Sequence, residues 1–373
     1  MGWSPQQDSA IRQISAWARQ PGGPQVFRLF GYAGTGKTTL AKAVAADVRG
    51  RVLYGAFTGK AALVLQRKGC TDASTIHSMI YRCFEVTDTD AAGRETSRIV
   101  YGLNPLSEVM SARLVIIDEC SMVDERLGSD LLSFGTKVLV LGDPAQLPPV
   151  RGEGFFTACA PDIMLTEIHR QAAGNPIIRM SMDVREGRRL ALGRHGDSRV
   201  IGMRDLAEGD EADADQVLVG LNRTRRVINA RVRKRLGFDP DYPEVGDKLV
   251  CLKNNREKGL LNGGLWTIDA IESFDEDGVK LRVASLDDEK RGPVRVYVRR
   301  EFFEGTEERL TPTDLRSTDQ FTYGYALTVH KSQGSQWDNV LLFDESRSFR
   351  QDAARHLYTA LTRAAEQITV VAA

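Results

Sequence analysis

The chain has 373 residues, room for two or three domains with separate cores, and its 42% hydrophobic and 27% charged content is that of a globular protein. Lys plus Arg and Asp plus Glu are equal at 50 each, so net charge argues for no partner class and any electrostatic footprint must be local. Cys70, Cys83, Cys120, Cys159 and Cys251 form no C-x-x-C pair, which removes a disulfide framework, a zinc site and an iron–sulfur cluster from the reading; with no signal-peptide pattern in Met1–Ala18 and no run of transmembrane length, the expectation is a cytoplasmic protein, in the host cytoplasm if phage-encoded, with no membrane partner.

In chain order, Pro5–Arg19 places Ile11, Ile14 and Trp17 on one side of a helix with Ser4 as N-cap. Val26–Phe30 predicts a strand that runs into a glycine-rich turn, followed by a helix over Lys37–Val48, a strand over Val52–Ala56 and a helix over Ala61–Arg67. Leu114–Ile117 and Val138–Leu141 are short, wholly apolar runs, the pattern of parallel strands buried on both faces. Together these predict a doubly wound α/β domain over residues 1–152. Within it, residues 81–105 have a polar centre flanked by Phe84-Glu85-Val86 and Ile99-Val100-Tyr101, an inserted β-hairpin.

Residues 153–244 and 319–373 read as a second α/β domain. Its predicted elements are Ile163–Leu165, Pro176–Arg185, Val217–Leu221, Arg223–Leu236, a resumption at Phe321, Val340–Phe343, Gln351–Thr362 and Ile368–Val371. Residues 245–318 change character: Lys248–Leu252, Leu265–Ile271, Val279–Val283 and Val294–Val298, with Asn262-Gly263-Gly264 and Asp277-Gly278 turns, predict a small antiparallel β barrel with Trp266 in its core. The acidic run Glu208–Asp215 reads as a mobile loop. The cations of Arg223–Arg235, against an apolar stripe of Ile228, Val232 and Leu236, read as the solvated face of a helix whose N-terminal end is a candidate phosphate contact.

Gly31-Tyr32-Ala33-Gly34-Thr35-Gly36-Lys37-Thr38 matches G-x-x-x-x-G-K-[ST] between a strand and a helix. The backbone N–H groups of Gly34, Thr35 and Gly36 and the helix start at Thr38-Thr39 suit phosphate oxygens; Lys37 reaches the β and γ phosphates of ATP and Thr38 holds Mg2+. Leu114-Val115-Ile116-Ile117-Asp118-Glu119 is an apolar strand ending in two acids. Asp118 is placed for the Mg2+ shell and Glu119 for deprotonating an attacking water, a pairing that favours hydrolysis over phosphoryl transfer to another substrate. Downstream, Val140–Val150 is a strand and polar loop in which Gln146 is placed to sense the γ-phosphate.

Several blocks spread over nearly the whole chain resemble superfamily 1 helicases, in particular the RecD-like and phage Dda-like branch. Gln7-Asp8-Ser9-Ala10-Ile11 resembles the Q-motif, which implies that Gln7 reads the adenine edge. Ala56-Phe57-Thr58-Gly59-Lys60-Ala61-Ala62 and Ser74-Thr75-Ile76-His77-Ser78 resemble the blocks that touch nucleic-acid backbone. Leu165-Thr166-Glu167-Ile168-His169-Arg170-Gln171 resembles the block whose arginine, here Arg170, reaches the γ-phosphate. Thr328-Val329-His330-Lys331-Ser332-Gln333-Gly334-Ser335 resembles the motif coupling DNA to ATP, and Tyr358-Thr359-Ala360-Leu361-Thr362-Arg363-Ala364 the last motif, with Arg363 as a second arginine finger. Two positions depart from the family: Phe57 stands where proline is usual, and Gln336 where a glutamate often contacts the ribose.

The resemblance implies two RecA-like P-loop NTPase domains, the hairpin inserted in the first as a candidate strand-splitting pin and an SH3-like β barrel inserted in the second. It implies ATP and Mg2+ as cofactors, movement 5′ to 3′ on single-stranded DNA, unwinding at duplex and fork junctions, and a monomeric motor recruited by replication or recombination proteins. The nucleic-acid contacts it implies are Thr58, Lys60, Thr75 and His77 on the first domain and Thr328, His330 and Lys331 on the second, small polar and cationic groups suited to backbone binding without sequence choice. Beside this stand an RNA motor or a translocase that does not unwind, since the motifs read backbone, and a nucleotide-gated recruitment module, which would need neither Glu119 nor two arginines.

Overall fold

A strand made only of apolar residues must be covered on both faces. In the computed structural model, which describes residues 2–89, 95–149, 154–167, 174–255, 257–288 and 290–372 (backbone only over 85–89 and 95–99), the apolar runs lie at the centre of parallel sheets. Two units are formed: Met1–Phe57, Ala61–Pro144 and Pro148–His169 make the first, and Thr58–Lys60, Ala145–Leu147 and Arg170–Ala373 the second. No helix among the described residues is long and apolar enough to cross a membrane.

The first unit contains β1 (Val26–Gly31), β2 (Val52–Ala56), β3 (Ser74–Thr75), the hairpin strands β4 (Tyr81–Thr89) and β5 (Glu95–Leu103), and then β6 (Leu114–Asp118), β7 (Val138–Gly142) and β8 (Ile163–Leu165). Its six-stranded sheet has the order β3-β2-β6-β7-β1-β8, with each neighbouring pair parallel. Side chains alternate across it as the strand period requires. Val115, Ile117, Val138 and Val140 pack with Leu127, Leu131 and Phe156 on one face. Leu114, Ile116, Leu139 and Leu141 pack with Ile14, Leu40 and Val44 on the other. The helix Pro5–Arg19 starts with a capping box: Ser4 Oγ accepts from the Gln7 N–H, and Gln7 Oε1 accepts from the Ser4 N–H. The antiparallel pair β4/β5 runs in register from Tyr81 opposite Leu103 to Thr89 opposite Glu95.

The second unit holds two sheets. Strands β9 (Gly193–His195), β10 (Ser198–Gly202) and β11 (Gln216–Val219) precede the antiparallel set β12 (Lys248–Cys251), β13 (Leu265–Phe274), β14 (Gly278–Ser285), β15 (Val294–Arg299) and β16 (Phe321–Tyr323). Then come β17 (Ala326–Thr328), β18 (Trp337–Phe343) and β19 (Ala364–Ala372). The larger sheet has the order β17-β11-β18-β19-β10-β9, parallel except for β9. The other, β15-β14-β13-β12-β16, is antiparallel throughout. It curls on itself, because just before β16 the Asp319 N–H donates to the Tyr297 carbonyl of β15 at 2.7 Å. Trp266 lies buried in its core with Leu281, Val298 and Phe321, as its pattern predicted.

Three readings change. Phe321–Tyr323 does not resume the α/β sheet; it pairs with β12, through Val250 opposite Thr322, and the parallel strands resume at Ala326. A three-residue strand carries no periodicity that assigns it to one sheet or the other. The acidic run Glu208–Asp215 contains a helical turn, Asp210–Asp213, held by ion pairs of Asp210 with Arg199 at 2.8 Å and Glu211 with Arg231 at 2.7 Å. The helix Asn222–Arg235 is not basic only toward solvent. Arg233 is buried and forks onto the buried Asp247, with Nε 2.9 Å from Oδ1 and Nη2 3.0 Å from Oδ2, while Nη2 also donates to the Tyr242 carbonyl at 2.6 Å. Asp247 accepts further from Tyr325 Oη and the Glu244 N–H, which satisfies the pair. Replacing Arg233 with Met strands that carboxylate, and should cost about 3–5 kcal/mol in urea unfolding. A loss below about 1 kcal/mol would show that water reaches Asp247.

Candidate nucleotide site and nucleic-acid interface

The glycine-rich loop joins β1 to the helix Lys37–Ala46. Gly36 caps that helix at φ 79°, in the left-handed region, and a Cβ there would lie 3.0 Å from Gln7 Nε2, so only glycine suits the position. Lys37 Nζ donates to the carbonyls of Gly31 at 2.6 Å and Tyr32 at 3.0 Å, which holds the ammonium over the loop. Thr35, expected to bind phosphate, turns its hydroxyl into the buried loop base and donates to the Tyr32 carbonyl at 2.8 Å, leaving its backbone for a ligand; Gly34 and Thr39 are exposed.

Asp118 ends β6 and accepts from Thr38 Oγ1 at 2.9 Å, joining the two residues that sequence analysis assigned to one metal. Burial and the neighbouring Glu119 carboxylate push the Asp118 pKa above its ordinary value, while Thr38 and Lys37 pull it down. Two adjacent acids in such a place favour a cation. Glu119 has φ 52° and ψ 46°, a left-handed conformation that a non-glycine residue adopts only where its surroundings impose it. A phosphate cradle, a hydroxyl–carboxylate pair and a second acid fit MgATP: Gly34 to Thr38 would hold the phosphates, Thr38 and Asp118 the metal.

Gln7 braces the phosphate loop. Its Nε2 donates to the Thr35 carbonyl at 3.1 Å and its Oε1 serves the capping box, which leaves one further N–H and one further lone pair on the amide for a ligand. The neighbouring Gln6 went unnoticed in the sequence. Its Oε1 accepts from the N–H groups of Thr166 at 2.9 Å and Glu167 at 3.0 Å, and Ser4 Oγ donates to Glu167 at 2.6 Å. One helical turn thus holds both the phosphate loop and the segment that leads to Arg170. Arg170 itself lies outside the described residues.

In the second unit, Gln146 is buried and its Oε1 has no hydrogen-bond partner among the described residues, an acceptor in want of a donor. The adjacent Leu147 is bonded twice. Its N–H donates to Thr359 Oγ1 at 2.9 Å, and its carbonyl accepts from Gln333 Nε2 at 3.0 Å. Gln333 and Thr359 belong to the two last motifs but were not singled out from the sequence; a buried amide and hydroxyl amid a motif carry no signal of their own. Arg363 is buried, with Nε donating to the Thr359 carbonyl at 3.1 Å and Nη1 to the Ser335 carbonyl at 3.2 Å, while Gln336 beside them is exposed.

Of the expected nucleic-acid contacts, Thr75 and Thr328 act as helix N-caps. Thr75 Oγ1 accepts from the Ser78 N–H at 3.1 Å and Thr328 Oγ1 from the Lys331 N–H at 3.4 Å, the usual task of a threonine where strand turns to helix. Lys60 is buried rather than offered to a phosphate, 3.4 Å from Asp287 and 4.4 Å from the Trp337 ring centre. His77 and Lys331 are exposed; Thr58 and His330 are half-buried. His77 stands between Phe57, at 6.1 Å, and Tyr81, at 5.7 Å between ring centres.

With this geometry in place, residues 2–204 match the AAA domain family and residues 323–371 the UvrD-like helicase C-terminal domain. The ATP-dependent RecD2 DNA helicase of Deinococcus radiodurans is 30% identical over 98% of this chain and 48% of its own length. The conjugal transfer protein TraA of Agrobacterium fabrum is 27% identical over 98% of this chain and 32% of its own, so the chain spans about half and a third of these relatives. A Pif1 helicase structure concerned with DNA unwinding at forked duplex has a TM-score of 0.60 at 19% identity, covering 99% of this chain and 92% of that one. The Pif1 helicase from Candida albicans has a TM-score of 0.57 at 18% identity, covering 100% and 94%. The likeness to these structures is one of fold, an α/β architecture with parallel sheets resembling their RecA-like domains. The chain belongs to the AAA domain family, and its UvrD-like C-terminal match and its RecD2 relative place it with the superfamily 1 helicases of the RecD-like kind.

A buried imidazole beneath the coupling motif sets one pH dependence. Burial and the nearby His330 hold the His356 pKa down to about 3. The unfolded chain takes up this proton as pH falls below about 6.5, while the folded chain does not, so stability drops between about pH 6.5 and 3. From pH 7 to pH 5 the loss should be about 2 kcal/mol. His356→Phe should flatten it, as read from urea midpoints at the two pH values.

Proposed function

We propose that this chain is the motor of an ATP-dependent DNA helicase that translocates 5′ to 3′ on single-stranded DNA and opens duplex and fork junctions, acting as a monomer. The observation that carries the reading is the pair of hydrogen bonds by which Leu147 donates to Thr359 and accepts from Gln333, which ties the loop bearing Gln146 to both the nucleic-acid motif and the arginine motif. A protein that only bound a nucleotide would need no such link. The family membership and the ATP-dependent DNA helicase activity of the RecD2 relative support the same reading.

Lys37 would neutralise the β and γ phosphates, and Thr38 and Asp118 would hold the Mg2+. The bound MgATP supplies the phosphoryl group whose hydrolysis drives the cycle. Glu119, next to Asp118 and held in a left-handed backbone conformation, would accept the proton of the attacking water. Gln146, Arg170 and Arg363 would respond to the γ-phosphate, and the two arginine cations would stabilise the charge that develops there. Loss of the γ-phosphate contacts would then reach Thr359 and Gln333 through Leu147, and so the grip on the strand.

The β4/β5 hairpin is assigned the role of strand-splitting pin; Tyr101 is 71% exposed near its base. The curled antiparallel sheet is assigned the role of an SH3-like module that guides the strand.

The test is unwinding of a short duplex bearing a 5′ tail, a 3′ tail or none, with ATP and Mg2+. Only the 5′-tailed duplex should open. Opening of the 3′-tailed one alone would reverse the polarity, and ATPase indifferent to nucleic acid would replace the motor with a recruitment module. Lys37→Ala and Glu119→Gln should abolish turnover, by 100-fold or more on the order of what such groups supply, and leave single-strand binding intact. Undiminished ATPase in either variant sinks the assignment. Replacing residues 86–98 with a short Gly-Ser turn should remove unwinding while leaving DNA-stimulated ATPase; unwinding that survives would leave the hairpin without its wedge.

A further inference from the structure

Three parallel strands of the second unit end side by side. Val219 of β11 pairs with Thr328 of β17, and Leu218 of β11 with Leu342 of β18. The segments that leave them, Gly220–Leu221, Val329–Lys331 and Asp344–Phe349, therefore emerge together at the carboxyl edge of the sheet, where α/β proteins place ligands. Glu345 knits them: its Oε2 accepts from the N–H groups of Gly220 at 2.8 Å and Leu221 at 2.9 Å, and its Oε1 from Thr224 Oγ1 at 2.5 Å. Gly220 lets the chain come close, since a Cβ there would sit 2.8 Å from Glu345 and 3.0 Å from the Phe349 ring. This carboxylate occupies the end of the helix Asn222–Arg235, so an anion here must be held by side chains.

Three rings meet at this edge. Phe349 stacks on His356 with centres 4.0 Å apart and planes 15° from parallel, and His330 lies 5.5 Å from Phe349 and 6.1 Å from His356. His356 is buried, and its Nε2 has no hydrogen-bond partner among the described residues. His330 and Phe349 are half-buried, so part of each ring stays open to solvent. Burial lowers the pKa of both histidines, which keeps the cluster neutral and able to stack. Beside it stand the exposed Lys331 and half-buried Arg225, close enough for Arg225 to depress the Lys331 pKa; neither has an ion-pair partner among the described residues. Glu307 lies near enough to act on Arg225 and Asp352 on His330, yet neither Arg225 nor Lys331 is closed into an ion pair among the described residues, and aromatic rings interleaved with such cations are the chemistry of a single strand held by stacking and phosphate contacts.

We propose that His330 and Phe349 form a base-stacking step for single-stranded DNA, that His356 is the positioning ring beneath Phe349, and that Arg225 and Lys331 hold the flanking phosphates. This rests on the helicase reading and adds to it a contact to bases rather than to backbone alone. Bases have π-faces of similar kind, so the step reads no sequence.

The test compares equilibrium binding of the full chain, without nucleotide, to a labelled fifteen-nucleotide oligo-dT and to an abasic oligomer of the same length and charge. Phe349→Leu, which keeps apolar volume but removes the ring, should weaken oligo-dT binding about 10-fold and abasic binding hardly at all. Phe349→Trp should restore it. His356→Ala should share the oligo-dT loss and His356→Phe should not, which a merely structural role would not separate. Arg225→Ala should weaken both oligomers alike and reduce the salt slope by about 0.7. Equal losses of Phe349→Leu on the two oligomers, or none on either, would overturn the stacking step while leaving the motor reading intact. If the wild-type chain binds neither oligomer, it is the helicase reading that fails.

Discussion

Asp118 carries a carboxylate at the end of a strand otherwise wholly buried, and the hydroxyl of Thr38 lies 2.9 Å from it. The rest of the first unit can be understood as what is needed to keep that pair in place. The strand before Asp118 must be apolar on both faces, because helices cover both, and its neighbours must run parallel so that their carboxyl ends open onto one edge. Thr38 must sit in the first turn of a helix, which requires a turn tight enough for Gly36 to be left-handed. A buried acid with a second acid beside it is pushed toward its neutral form, and a cation sharing the site would relieve the same repulsion. The left-handed Glu119 shows how little freedom remains there.

In the second unit the corresponding constraint is a network of backbone groups bound by side chains. Leu147 is held through both its N–H and its carbonyl, Arg363 binds two carbonyls, and Glu345 binds two N–H groups and a hydroxyl. Bonds of this kind transmit position, because a backbone group cannot move without its segment. They also explain why threonines that resemble nucleic-acid contacts turn out to be caps: a strand that ends at a binding edge must turn sharply into a helix, and the cap is what permits the turn. The neighbours of each cap, His77 in one unit and Lys331 in the other, stay exposed.

The stacking step proposed for His330 and Phe349, over His356, would extend this logic. A motor that held its strand only by phosphates would have equal purchase at each step of sliding. A ring that must unstack from one base before accepting the next supplies a detent, at a cost of about 1–3 kcal/mol per base, which is small beside the free energy of a nucleotide cycle.

Much of this was legible in the residues. The phosphate loop, the strand ending in Asp118-Glu119 and the central strands of both parallel sheets follow from runs whose chemistry admits one structure: glycines between a strand and a helix, and apolar residues with no alternation. The boundaries of Pro5–Arg19 follow from Ser4 and Pro5 for the same reason. What tertiary structure alone decided is where a side chain with several options would go. Arg233 shares a helix face with solvent-facing arginines and differs from them only because Asp247, fourteen residues away, folds back onto it. Lys60 is a motif cation that the fold buries beside Asp287 and Trp337. Gln7 and Gln6 are adjacent amides that the fold sends to different partners, the phosphate loop and Thr166–Glu167. Phe321–Tyr323 is too short to show which sheet it joins. Local sequence determined the elements and the chemistry of the site because both depend on neighbours in the chain. The pairing of charges, amides and short strands waited on tertiary structure because it depends on neighbours in space.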